Sequence, residues 1–90
     1  MPKTLERPSH CYITRNPKIQ GGEPVIKGTR LAVRSIVFYI VKEGMLPEEL
    51  IKEFPQLSLS AIYDSLSYYY DHKEEIESLF KRQKEELWKK

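Results

Sequence analysis

Ninety residues, 40% hydrophobic and 31% charged, specify one small folded domain with a modest core. No apolar run approaches the roughly 20 residues of a membrane span, and Met1-Pro2-Lys3-Thr4 lacks the apolar stretch of a signal peptide, so the chain reads as cytoplasmic and without a membrane role. The single cysteine, Cys11, excludes an internal disulfide, and the net charge of +2 hides an asymmetry: residues 1–34 carry seven Lys/Arg against Glu6 and Glu23.

Residues 1–11 contain Pro2 and Pro8 without periodicity and read as a flexible arm. Tyr12-Ile13-Thr14 is a short strand candidate, and Asn16-Pro17 marks a turn. The segment Gly21-Gly22-Glu23-Pro24-Val25-Ile26-Lys27-Gly28-Thr29-Arg30 follows, with three of the chain's four glycines. Val25-Ile26 and Thr29-Arg30-Leu31 flank Lys27-Gly28, the pattern of a tight hairpin. A phosphate loop is rejected here, because neither GxxxxGK[ST] nor GxGxxG is present and the next element is strand-like.

The first helix is expected over 33–43, with Ile36, Val37, Ile40 and Val41 at helical spacing and Gly44 just past its end. Pro47 opens a second helix that buries Leu50, Ile51 and Phe54, and Pro55 ends it. Ser58 is the expected N-cap of a third helix with an inner stripe of Leu59, Ile62, Leu66 and Tyr69. A charged helix follows after Asp71-His72, striped by Ile76, Leu79, Phe80, Gln83, Leu87 and Trp88. Whether it continues the third helix or kinks near His72 stays open.

The expected fold class is therefore mainly α: a short N-terminal β-hairpin, a three-helix helix-turn-helix core and a C-terminal helical extension. The units are the arm 1–11, a hairpin and helix-turn-helix domain over 12–71, and a charged amphipathic helix over 72–90. The helices over 47–54 and 59–70, joined by Pro55-Gln56-Leu57-Ser58, match a helix-turn-helix, although the same pattern serves an ordinary α-hairpin.

For DNA, the third helix carries Ser60, Tyr63 and Ser67 on its outer side but no Lys or Arg between Leu59 and Tyr70. Phosphate contact then falls to the basic first third: Lys3, Arg7, Arg15, Lys18, Lys27, Arg30 and Arg34. Tyr68-Tyr69-Tyr70 span roughly 200° of helix, so the three cannot share one small core; Tyr68 and Tyr70 are taken as partner contacts. On the last helix Leu79, Phe80, Leu87 and Trp88 are the other partner candidates, by fold-back, pairing with a second copy, or insertion into a partner's groove.

Catalysis and metal binding find no constellation. His10 and Cys11 are adjacent without a third orienting group, no further Cys/His set exists for zinc, and His10, Cys11 and His72 read as surface or loosely packed groups. Glu48, Glu49 and Glu53 read as helix-initiating charge. The chain is read as a non-enzyme without cofactor or metal.

Ile13-Thr14, Asn16-Pro17, Gly21-Gly22-Glu23-Pro24-Val25-Ile26-Lys27-Gly28-Thr29-Arg30-Leu31, Glu49-Leu50-Ile51 and Phe54-Pro55-Gln56-Leu57-Ser58 together resemble the family catalogued as domain-of-unknown-function 433, over roughly residues 12–72. The resemblance implies a homeodomain-like helix-turn-helix behind a small β element. It also implies a VapB-like antitoxin role in a type II toxin–antitoxin pair, with a PIN-like ribonuclease as partner, DNA as ligand and a homodimer as assembly. It makes Thr29 and Arg30 the start of a return strand, with Arg30 the best polar candidate for a fixed structural or phosphate contact. The long charged tail and the cation-poor third helix depart from a compact member and favour a protein partner for the tail. Two other readings stand beside this one: a stand-alone DNA-binding transcription regulator, and a structural homo-oligomer without nucleic acid.

Overall fold

The computed structural model of the chain describes residues 10–88, with side chains described through Gln83. Strand β1 (Ile13–Thr14) pairs antiparallel with β2 (Val25–Ile26), Ile13 opposite Ile26 and Thr14 opposite Val25. The regular pair is thus made with the segment before the glycines, not with 29–31 as expected. The Lys27-Gly28 turn itself is present: the Thr29 amide donates to the Ile26 carbonyl at 3.1 Å, and Gly28 takes φ +78°. The return path bonds back from the Ile26 amide to the Leu31 carbonyl and from the Val33 amide to the Pro24 carbonyl, both at 2.9 Å, around a bridge between Val25 and Ala32. Thr29 prevents a longer strand. Its hydroxyl donates to the Ile26 carbonyl and accepts from the Leu31 amide, which closes a local loop in place of a ladder.

Between the strands, the Asn16 side chain accepts from the Lys18 amide at 2.9 Å and so makes the turn expected at Asn16-Pro17. A 3₁₀ turn, Gln20–Gly22, follows. The Gln20 side chain then donates to the Arg30 carbonyl at 3.0 Å and ties this loop to the second turn.

Helix α1 (Val33–Val37) starts where its first amide bonds the carbonyl of buried Pro24, at 2.9 Å. It runs on as a π-helical stretch, Phe38–Lys42, and ends at Gly44 with φ +77°. The wider turn shifts the helical phase, so Val41, expected inside, is 39% exposed and Phe38 41%. Helix α2 (Pro47–Glu53) begins with the Glu49 carboxylate accepting from the Leu46 amide at 2.9 Å. Its Leu50 is fully buried, with Ile51 and Phe54 packed beside it.

Helix α3 (Leu59–Asp71) is capped by Ser58, whose hydroxyl accepts from the Ala61 amide at 3.1 Å, as expected. Its core face is Ala61, Ile62, Ser65, Tyr68 and Tyr69, rotated from the expected stripe, so Leu59 lies outward. Small Ala61 and Ser65 allow close approach to α1, and the buried Ser65 hydroxyl is satisfied by the Ala61 carbonyl at 2.9 Å. His72 leaves helical geometry (φ −130°, ψ 47°), which settles the open point: α4 (Lys73–Trp88) is a separate helix.

Two apolar clusters share α1. Ile26, Ile36, Leu50, Leu57, Ala61 and Ile62 form one, which seats α2 and α3 as a three-helix unit with α1. Val33, Val37, Tyr68, Tyr69 and Ile76 form the other, with Leu79 and Phe80 packed against it. Helix α4 therefore folds back onto the second cluster through Ile76. The architecture is mainly helical with a two-stranded antiparallel element near its N-terminus.

Candidate functional site

The expected cations fall into three groups. Lys18, Lys27 and Arg30 are exposed on the turns around the β element. Arg34 and Arg15 are engaged within the chain. Arg34 donates to both carboxylate oxygens of Glu23, at 3.0 and 3.3 Å, and to the Gln83 side chain at 2.9 Å, with only 19% of its side chain exposed. Arg15 donates to the Tyr68 hydroxyl at 2.6 Å and to the Glu75 carboxylate, which raises its already high pKa. Tyr68 in turn donates to Glu75 at 2.9 Å, and burial first, then Glu75, pushes its phenol pKa up. Arg15 thus clamps the N-terminal segment to the α3–α4 corner. Lys3 and Arg7 lie outside the described residues.

On α3, Ser60, Tyr63 and Ser67 are exposed, and Tyr70 is 62% exposed. Tyr68 is only 8% exposed and belongs to the core, which removes it from the partner-facing set: two tyrosines of the triplet are inside and one outside. On α4, Leu79 and Phe80 are half-buried against the second cluster, while the side chains of Leu87 and Trp88 lie outside the described ones. Phe80 lines an open groove of about 200 Å³ with Arg34, Ser35, Phe38, Tyr39 and Gln83. The π-helical turn holds Phe38 at this groove's edge.

One cluster escaped the sequence reading. The side chain of His10, expected to be loosely packed, is only 9% exposed. Its Nδ1 meets Asp64 at 3.1 Å and its Nε2 meets Asp71 at 2.9 Å, while the second Asp64 oxygen accepts from the Tyr12 amide at 2.9 Å. Its ring also lies edge-on to Tyr68, which stacks on His72 with centroids 4.3 Å apart. Both ring nitrogens are occupied by carboxylates, so neither is free for acid–base work on a ligand. The arm's last residues are thereby fixed to α3. The partners lie 54 and 61 positions away, and no local pattern announces such a pairing. Among the described residues, no group of three or more His, Cys, Asp or Glu is placed to hold a metal ion, and no helix is long and apolar enough to cross a membrane.

The comparisons agree with this architecture. A crystal structure of a DUF433 member protein from Anabaena variabilis is similar, with a TM-score of 0.70 and 28% identity. The match covers 74% of this chain and 65% of the other, so this chain spans just under two thirds of that protein. No curated protein matches the sequence. The model of the family described as protein of unknown function (DUF433) matches residues 13–69, the span that holds the β element, the Gly-rich turns, helices α1 and α2 and most of α3, and the chain belongs to that family.

Proposed function

We propose that this protein is the antitoxin of a type II toxin–antitoxin pair, acting in the cytoplasm as a dimeric helix-turn-helix protein. In this reading Lys18, Lys27 and Arg30 meet operator phosphates, and the C-terminal segment neutralises a PIN-like ribonuclease. The observation that carries it is the α2–turn–α3 unit seated on α1 beside an exposed basic loop layer. Arg15 and Arg34 are left out of the proposed DNA contacts, because their guanidiniums are paired with Glu75 and Glu23. Exposed Phe38 and half-buried Phe80, at the groove between α1 and α4, supply apolar surface for the ribonuclease beside the α4 stripe.

Co-expression with the product of the neighbouring reading frame tests this. The expected result is a stable complex and relief of that product's toxicity; neither complex nor relief would refute the antitoxin role. A second reading, a structural homo-oligomer without nucleic acid, draws on one observation: the outer face of α3 carries no Lys or Arg from Leu59 to Tyr70.

A further inference from the structure

Gln20 holds φ +51°, in the left-handed region that a residue with a Cβ adopts at a cost to folding. Gly21 and Gly22 after it take φ +65° and +89° without that steric cost. Asn or Gly at position 20 would meet this backbone with less strain. The Gln20 side chain is exposed, and its amide donates to the Arg30 carbonyl at 3.0 Å, 10 positions on. A hydrogen bond at the surface forms in competition with water and at best offsets the strain, so stability alone does not account for a Gln here.

The bond joins two turns that are each fixed by contacts of their own. In the first, the Lys18 amide donates to the Asn16 side chain at 2.9 Å and the Ile19 amide to the Asn16 carbonyl at 2.8 Å. In the second, the Lys27 amide donates to the Tyr12 carbonyl at 2.9 Å, and Thr29 closes the turn on Ile26. The first turn carries Lys18, the second carries Lys27 and Arg30, and β2 lies between them in the chain. Among the described residues, the hydrogen bond from Gln20 to Arg30 is the one that links the two turns. Phosphates along a duplex stand at fixed intervals. Cations on two turns that move independently must be ordered before both engage, and that ordering costs affinity.

We propose that Gln20 is a positioning residue for duplex binding: it holds the Lys18 turn and the Lys27–Arg30 turn in one arrangement, so that their cations meet the phosphates together. This rests on the proposed phosphate contact of those cations, and adds that the arrangement of the turns, besides their charge, sets the affinity. Gln20 acts through the Arg30 backbone and not on the nucleic acid itself.

Fluorescence anisotropy with a duplex from the chain's own upstream region, run beside urea unfolding, tests this on the full chain as wild type, Gln20→Asn, Lys18→Ala and the double variant. Asn suits the left-handed backbone but is one methylene too short to keep the bond to Arg30. Gln20→Asn is therefore expected to unfold at or above the wild-type urea midpoint and to bind the duplex ~3–10-fold more weakly, the equivalent of one net hydrogen bond. In the Lys18→Ala background the same change is expected to alter the dissociation constant less than ~2-fold, because the first turn then has no cation left to place. Should Gln20→Asn unfold, Gln20→Gly replaces it with the same expected loss of affinity. Undiminished affinity in Gln20→Asn overturns the proposal and leaves the phosphate contact standing. So does an equal loss in both backgrounds, which would make Gln20 a direct contact. A loss of affinity that only follows a lowered urea midpoint overturns it in favour of a structural role. A wild type that binds no duplex refutes the phosphate contact itself, and this inference with it.

Discussion

His10 is held at both ring nitrogens, by Asp64 at 3.1 Å and Asp71 at 2.9 Å, with 9% of its side chain exposed. His10→Ala leaves the 13%-exposed Asp64 carboxylate with only the Tyr12 amide as partner. The expected loss is about 1.5–3 kcal/mol in urea unfolding, the range for a hydrogen bond to a charged group. An unchanged midpoint would show that the arm's last residues are not fastened to α3. Tyr69 and Glu77 form a second long-lever pair. The Tyr69 hydroxyl donates to the Glu77 carboxylate, and this bond first, then burial, pushes the phenol pKa up to about 12. The same bond, with Lys42, lowers the Glu77 pKa against the opposing effect of burial. The carboxylate's contribution is complete above its unfolded pKa and lost as pH falls through the lower folded value. The phenol's is complete below its unfolded pKa near 10 and lost as pH rises through the folded value. Tyr69→Phe keeps the ring and removes the bond. Its unfolding free energy should therefore depend less on pH on both the acid limb and the alkaline one, as followed by urea unfolding across a pH series.

Helix α1 is the element on which the others are assembled, since Ile36 belongs to one apolar cluster and Val33 and Val37 to the other. Ile76 joins α4 to the second cluster and is fully buried. Ile76→Ala should cost about 2–5 kcal/mol, the range for truncating a large buried aliphatic, whereas Phe38→Ser on the exposed π-helical turn should stay within about 0.5 kcal/mol. Equal costs in thermal melts would contradict the fold-back of α4. The helix ends were legible in the sequence, because Ser58, Pro47 and Gly44 act through their own backbone and near neighbours. The π-helical phase shift was not, since Ile36, Val37, Ile40 and Val41 suit an α-helix equally well. The β1–β2 pairing was hidden for another reason: it joins residues a dozen positions apart, and the nearer partner at 29–31 was diverted by the Thr29 hydroxyl. Of the candidate site, exposure on α3 was readable from periodicity at Ser60, Tyr63 and Ser67. The internal pairing of Arg15 was not, because Glu75 reaches it only after α4 folds back, and that of Arg34 was not, because Glu23 stands 11 positions away on the far side of β2.

At the scale of the whole molecule, the described cations are unevenly placed. The exposed cations Lys18, Lys27 and Arg30 gather on the turns around the β element, and α3 carries no Lys or Arg of its own from Leu59 to Tyr70. The proposed function rests on that distribution: phosphates at the loops and an apolar groove beside α4. Fluorescence anisotropy with a duplex from the chain's own upstream region, titrated across salt concentration, tests it most directly. For the Lys18→Ala/Lys27→Ala/Arg30→Ala variant the account predicts affinity at least ~10-fold weaker and a salt slope smaller by roughly 3, near one unit for each phosphate contact removed. Undiminished binding by the triple variant would contradict it.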